Sequence, residues 1–446
     1  MQFKNVILAI FALLSAALWA PQANAIPAFS RQVGMACSAC HYQHFPALNS
    51  FGRAFKEGGF TMIGAESKVE GDGLSIPATL NASLVGYITD TKTNGPTTGT
   101  TATTKTTNNG SLQIPVQSSL FLAGRAGEHT GFMTEINLTP ASGGTIPDGS
   151  IGMTMLKVPF VYDVGNVKAG LVPFSSPNGA ADSFEVLNTG AVAVHAFNQW
   201  DMAAISAQQY IGTATAASGL AFIASNENFF ANFAKWGANQ GSGASGSPTS
   251  NYLRAAWTTG LIPGFDSAIG FQVWNGTSVV DAAAAGGLVN PLVTTGVVNT
   301  KASAIDAQMM GDVGGMPLLL IASYANAPAS GPVADVDQNL FNAGALSRKS
   351  LNFGAELGVI PGKATVQLGL RRANSGGYVD PVGLTGGNAT DNAIMVGATY
   401  NIEQNIRAEL TYSKYSGDMY NAANAAAAGP AYTGTNLMTL DLAFGF

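Results

Sequence analysis

Lys363-Ala364-Thr365-Val366-Gln367-Leu368-Gly369-Leu370-Arg371 sets Ala364, Val366, Leu368 and Leu370 on one face and Lys363, Thr365, Gln367, Gly369 and Arg371 on the other. Side chains alternate across a strand with a period of two, so this stretch reads as a strand with one greasy and one wet face. Leu351 to Val359 repeats the pattern with Glu356 on the wet side, and Ile406 to Tyr412 repeats it with Arg407 and Glu409 there. The chain ends Leu437-Met438-Thr439-Leu440-Asp441-Leu442-Ala443-Phe444-Gly445-Phe446. Alternation up to a terminal phenylalanine suits the last strand of a membrane barrel, whose aromatic girdle sits at the interface.

Working outward, about sixteen such segments can be placed, with cores near 79–89, 116–126, 130–139, 152–162, 165–173, 203–212, 218–225 and 252–262. The rest lie near 265–275, 301–312, 315–325, 349–360, 363–372, 391–401, 404–415 and 437–446. Their connections alternate in length. Tight turns such as Gly127-Glu128-His129, Asp312-Val313-Gly314-Gly315 and Ile360-Pro361-Gly362 separate long Gly/Ala/Ser/Thr/Asn loops such as Asp90 to Gly110 and Gly276 to Thr300. Short turns at one end and long loops at the other are the habit of outer-membrane barrels. Ser175 to Asn228 keeps no single alternation, so strands six and seven are the least defined.

Composition agrees. Only 10% of the 446 residues are charged, against about a quarter in soluble domains. No segment after the N-terminus is long and apolar enough for a spanning helix. A closed barrel whose outer face meets lipid reconciles the two. By strand parity Glu135, Lys157, Lys168, Arg254, Glu356, Lys363, Arg371, Arg407 and Glu409 should project inward. The formal net charge of −6, with no basic cluster, argues against nucleic acid as a partner.

The N-terminus reads as a secretory signal peptide over 1–25: Lys4, an apolar run from Val6 to Leu18, and the small residues Ala23-Asn24-Ala25. Residues 26–75 then form a small segment, and 76–446 the barrel.

Within that small segment stand the chain's two cysteines, in Cys37-Ser38-Ala39-Cys40-His41. In an exported protein this spacing reads as covalent attachment of one haem c, with both thiols as thioether anchors and His41 as iron ligand. A thioredoxin-like pair would not need His41, and a zinc site would need two further ligands close by. For the sixth iron position the candidates are Met62, then His44 or another histidine, or an open site. Arg53 is a candidate partner for a haem propionate. Leu48, Phe51 and Phe55 fall at helical spacing, and Gly58-Gly59 stops that helix. Some 50 residues bury too little apolar surface to stand alone, so the segment is expected to lodge in the barrel lumen as a plug.

The run Pro27-Ala28-Phe29-Ser30-Arg31-Gln32 ahead of the cysteine motif, followed by a barrel ending in Phe446, resembles the fused monohaem cytochrome–porin proteins of iron-oxidising bacteria. The resemblance implies oxidation of extracellular Fe(II) at the outer membrane, with electrons passed to a periplasmic c-type cytochrome. It carries Cys37, Cys40 and His41 over as haem residues, and no iron-docking site. A diffusion porin with a periplasmic haem module is the competing reading. A peroxidase-like enzyme would need a distal acid–base pair, and none is recognisable.

Overall fold

The structure, a computed structural model, describes residues 28–64, 66–72, 74–94, 110–138, 151–190, 206–238, 248–260, 262–281, 295–331, 337–376, 390–403, 405–420 and 434–446. The expected signal peptide at 1–25 lies outside them. Three short helices come first, α1 (Ala28–Val33), α2 (Cys37–Cys40) and α3 (Ser50–Glu57), then a hairpin of β1 (Lys68–Gly71) and β2 (Leu74–Pro77). The barrel wall starts with β3 (Ala82–Thr93), β4 (Ser111–Arg125), β5 (Gly131–Asn137), β6 (Gly152–Lys157), β7 (Phe160–Val164) and β8 (Val167–Ser176). A helical turn, α4 (Ala207–Tyr210), precedes β9 (Ala217–Ser225), β10 (Phe229–Gly237), β11 (Ser250–Thr259) and β12 (Phe265–Asn275). A hairpin, β13 (Thr277–Asp281) with β14 (Thr295–Asn299), stands apart from the wall. The wall resumes with β15 (Ala302–Val313), β16 (Met316–Ala327), β17 (Arg348–Ile360) and β18 (Ala364–Ser375). It ends with β19 (Thr390–Glu403), β20 (Ile406–Ser416) and β21 (Asn436–Gly445).

Among the described residues, sixteen antiparallel wall strands close into a barrel, β21 pairing with β3. One of the sixteen is made of β6 and β7, interrupted at Val158-Pro159, because proline has no N–H to give the ladder. Two-residue turns join strands at one end. Gly314 and Gly315 link β15 to β16 with φ of 63° and 85°, the left-handed pair that matches the twist of the flanking strands.

The expected parity holds in mid-strand. On β18, Thr365, Gln367 and Arg371 are buried while Val366, Leu368 and Leu370 are exposed. Arg254, Glu356 and Glu409 are likewise buried inward, whereas Phe222, Leu253, Phe271, Ile305, Ile394, Leu410 and Leu440 stand on the outer face. Buried charge and exposed apolar surface invert the soluble pattern and fit a wall between lipid and a polar lumen. Lys168 and Lys363 share the inward parity but lie half-buried at the turn end, Lys168 paired with Asp163 and lining a cavity beside Ala54 and Phe55, Lys363 donating to the Ile402 carbonyl.

The count of sixteen hides one exchange. No strand occupies the described part of 203–212: that region carries α4, inside the lumen. The missing strand is β10, where Phe230, Ala234 and Trp236 are buried on the inward face and Phe233 is exposed on the outward one. Aromatic residues stand on both faces, and Asn232 inward and Lys235 outward are the only polar marks, so period-two contrast is weak. The expected loop from Gly276 to Thr300 contains the β13–β14 hairpin, and the wall begins at Ala82, after the β1–β2 hairpin rather than at residue 76.

Between β8 and β9 the chain turns inward. Glu185 pairs with Arg254 of β11 at 3.0 Å, Asn188 accepts no wall strand's ladder but takes Gln308 Oε1 on its backbone N–H at 2.7 Å, and Ala207 N–H reaches Ser323 Oγ at 3.0 Å. Tyr210 OH lies 3.1 Å from Asp391 of β19. The excursion therefore reaches the wall opposite its origin. Phe184, Val186, Leu187 and Ile211 are fully buried along it.

Candidate functional site

The cysteine motif forms α2, one turn long, with His41 N–H closing on the Cys37 carbonyl at 2.9 Å. Two residues fasten α3 to it. Asn49 caps α3, its Oδ1 accepting from Gly52 N–H at 2.9 Å. Its own N–H meets the Cys40 carbonyl at 2.9 Å, and its Nδ2 meets Ala39 O at 2.9 Å. Gly52 permits the crossing: a Cβ there would lie 2.2 Å from the Cys40 carbonyl oxygen. Sequence reasoning passed over both residues, although Asn directly before Ser50-Phe51-Gly52 is a readable cap signal.

His41 Nδ1 lies 3.2 Å from the Ala47 carbonyl. A carbonyl only accepts, so the proton sits on Nδ1 and the Nε2 lone pair is left for a ligand. Burial pushes this imidazole down to about 4, against the opposing pull of the Ala47 carbonyl, and keeps it in the neutral form a metal needs. Cys37 and Cys40 are free thiols, partly exposed. Burial, then the neighbouring Cys37, push the Cys40 thiol up. Met35 and Phe45 flank the motif as exposed apolar side chains, Phe45 edge-on to the His41 ring at 5.4 Å. Two thiols on one turn, an oriented imidazole and bare apolar neighbours fit a haem c.

The segment is held by the wall. Tyr42 OH donates to the carbonyls of Gly311 and Leu318, at the β15–β16 turn. Gln43 Nε2 donates to Glu356 O at 3.2 Å, and the Leu48 N–H meets Asn188 Oδ1 at 2.7 Å. His44 Nε2 lies 2.5 Å from Glu356 Oε1, and Arg407 Nη1 lies 2.6 Å from His44 Nδ1. Nδ1 also lies 2.6 Å from the Phe45 carbonyl. Both His44 nitrogens are thus engaged, which removes His44 as a ready iron ligand. Arg53 pairs with Asp266 of β12, so it braces the segment instead of serving a propionate. Phe29, Phe55 and Phe60 cluster, and Phe60 meets Phe184 of the inward excursion at 6.1 Å.

Met62 is placed elsewhere. Its carbonyl accepts from Gln32 Nε2 at 2.6 Å, while its exposed side chain lines a cavity of about 650 Å³ with Ala54, Phe55, Arg125 and Lys168. Cys37, Cys40 and His41 are not among the residues that line this cavity. The structure brings Cys37, Cys40 and His41 together and gives the Met62 side chain to the cavity.

No family model matches the chain, and no curated protein does. Solved structures do. OmpF of Salmonella typhi in complex with daunomycin is 13% identical, with a TM-score of 0.52 over 85% of this chain and 100% of its own. OprB of Pseudomonas putida is 11% identical, with a TM-score of 0.50 over 82% and 93%. An anion-selective porin from Comamonas acidovorans is 12% identical, with a TM-score of 0.42 over 82% and 99%. These are likenesses of fold. The closed wall and apolar outer belt agree with the first two: this is a porin-like barrel of the outer membrane.

In such barrels the short turns face the periplasm and the long loops face outward. The Cys37–His41 segment, tied to Asn405 and, through Tyr42, to Gly311, lies at the short-turn end of the barrel.

Proposed function

We propose that this chain is an outer-membrane electron conduit of the fused cytochrome–porin kind. It takes electrons from an extracellular donor, Fe(II) by the resemblance, and delivers them to a periplasmic c-type cytochrome. The observation that carries the reading is the bracing of the Cys37–His41 segment inside the turn-end mouth, through Tyr42, His44–Glu356 and Arg53–Asp266. A module that merely hung below an open pore would have no use for these lumen contacts.

Cys37 and Cys40 would hold the haem through two thioether bonds, and His41 Nε2 would ligate its iron. When bound, haem supplies a one-electron Fe(III)/Fe(II) couple. Ala47 orients the imidazole, Gly52 and Asn49 keep α3 against the attachment turn, and Phe29, Phe55 and Phe60 exclude water beside it. Each Fe(II) ion oxidised outside gives one electron, which one acceptor haem in the periplasm takes up.

The diffusion-porin alternative rests on a different observation, the likeness of fold to OmpF and OprB, which by itself favours solute passage. Single-channel conductance in planar bilayers separates the two. The conduit reading expects the full chain to be nearly closed and a chain starting at Ile76 to conduct. Equal porin-sized conductance from both would leave the porin reading.

A further inference from the structure

We propose that Arg407, on the barrel wall, completes the haem pocket by donating its Nε–H to a propionate carboxylate. The proposal rests on the haem reading above and goes beyond it, because it makes the barrel part of the cofactor site.

Arg407 is the second residue of β20, at the turn end. One Nη reaches His44 Nδ1 at 2.6 Å and also the Phe45 carbonyl, and the other lies 3.2 Å from Glu409 Oε2. Its Nε is buried with no partner. Two residues earlier, Asn405 Oδ1 lies 3.9 Å from Cys37 Sγ, and Asn405 Nδ2 is also buried and unpartnered. Trp236, Trp274 and Arg348 carry buried donors without acceptors too, but these two stand beside the cysteine motif, where a buried donor calls for an acceptor. Arg407 is close enough to His41 for its charge to weigh on that ring. A haem would bring two carboxylates to this place, and a guanidinium is the matching donor.

The cations of the N-terminal segment are held away from Cys37: Arg53 pairs with Asp266 of β12, Arg31 donates to the Ala82 carbonyl, Lys56 sits over the Phe184 ring at 5.7 Å, and Lys68 pairs with Glu70. A cation against the haem favours the reduced, more negative state. Removing it should lower the midpoint potential.

The test is a visible redox titration of the detergent-solubilised full chain as native, Arg407→Gln and Arg407→Lys, each checked for a folded barrel by heat-modifiable electrophoretic mobility. Redox-difference infrared spectra are taken with haem ¹³C-labelled at the propionate carboxyls. The expected result is a lower midpoint in Arg407→Gln, largely restored in Arg407→Lys, with the labelled carboxylate bands displaced in Arg407→Gln. An unchanged midpoint with unchanged labelled bands overturns the contact. If Arg407→Gln does not fold, the native bands decide: the frequency of a solvated carboxylate overturns it, and a shifted one supports it. A native chain without covalent haem removes the underlying reading, a failure separate from haem present but indifferent to Arg407.

Discussion

His44 and Glu356 lie 312 positions apart in the chain, and their side chains meet at 2.5 Å, His44 Nε2 on Glu356 Oε1, with both side chains almost fully buried. Thr365 Oγ1 donates to the same carboxylate oxygen at 2.7 Å and Gln367 Nε2 at 3.2 Å. The contact joins the haem-motif segment to the middle of the wall's periplasmic half. Hydrogen bonds to a charged partner contribute about 1.5–3 kcal/mol, and losing one partner leaves the other buried and unsatisfied. Glu356→Ala should therefore weaken docking of residues 28–64 by about 2 kcal/mol while the barrel stays closed. Faster proteolysis within that segment, with unchanged heat-modifiable mobility, is the expected outcome. Native-like protection would show that Tyr42 and Arg53 suffice.

Gly52→Val tests the crossing of α3 over the attachment turn. Its added Cβ would lie 2.2 Å from the Cys40 carbonyl oxygen, a backbone atom that cannot swing aside. Overpacking costs about 1–3 kcal/mol where side chains can adjust, and more where backbone must move. Covalent haem, read by peroxidase staining after denaturing electrophoresis, should fall severalfold relative to native. The double variant Cys37→Ala/Cys40→Ala should lose it entirely and still form the barrel. Full staining in Gly52→Val would mean that α3 is free to shift.

Glu57 gives the docked segment a pH dependence. Burial pushes its carboxyl up to about 7, against the pull of Arg53 and Lys168. A raised carboxyl favours the docked state while protonated. Its contribution is whole below about 4.5, the unfolded value, and is lost as pH rises through about 7. His41 is pushed the opposite way, to about 4, so the informative quantity is the difference between native and Glu57→Gln. Hydrogen exchange of residues 28–64 should show protection rising from pH 7.5 to 5 more steeply in native than in Glu57→Gln. Parallel profiles would exclude Glu57 as the titrating group.

Barrel, inward charges and the adjacency of Cys37, Cys40 and His41 were legible because each depends on local rules. Alternation needs only neighbours two apart, and Cys37-Ser38-Ala39-Cys40-His41 is contiguous. What escaped depended on which side chains meet across the lumen. The inward face of β10 carries Phe230, Ala234 and Trp236 beside Asn232, Phe230 packing on Phe184 with 6.5 Å between ring centres, and that contact is invisible until the β8–β9 excursion is folded in. Residues 206–212 read as strand for the same reason, Ala207, Tyr210 and Ile211 being buried in the lumen core. Arg53 was read as a haem partner since nothing in the sequence announces Asp266, 213 positions away.

Met62 provides a sharp contrast. If Met62 keeps the placement described, lining the cavity with Arg125 and Lys168, then Met62→Ala leaves the midpoint potential and carbon monoxide binding as in native. A drop in potential together with new carbon monoxide binding would mean that this stretch turns over in the haem-bound protein and presents the thioether sulfur to iron.

The most direct test of the conduit is electron passage through a sealed bilayer. Haem-loaded full-length chain is inserted into liposomes enclosing a ferric c-type cytochrome, and Fe(II) is added outside under anoxic conditions. The α-band of the enclosed cytochrome should appear with the native chain and be absent with Cys37→Ala/Cys40→Ala, while a chromogenic Fe(II) chelator enclosed in parallel liposomes stays colourless. Coloration of the enclosed chelator by the native chain, or reduction at equal rates with and without the two cysteines, would show that Fe(II) itself crosses and would contradict the account.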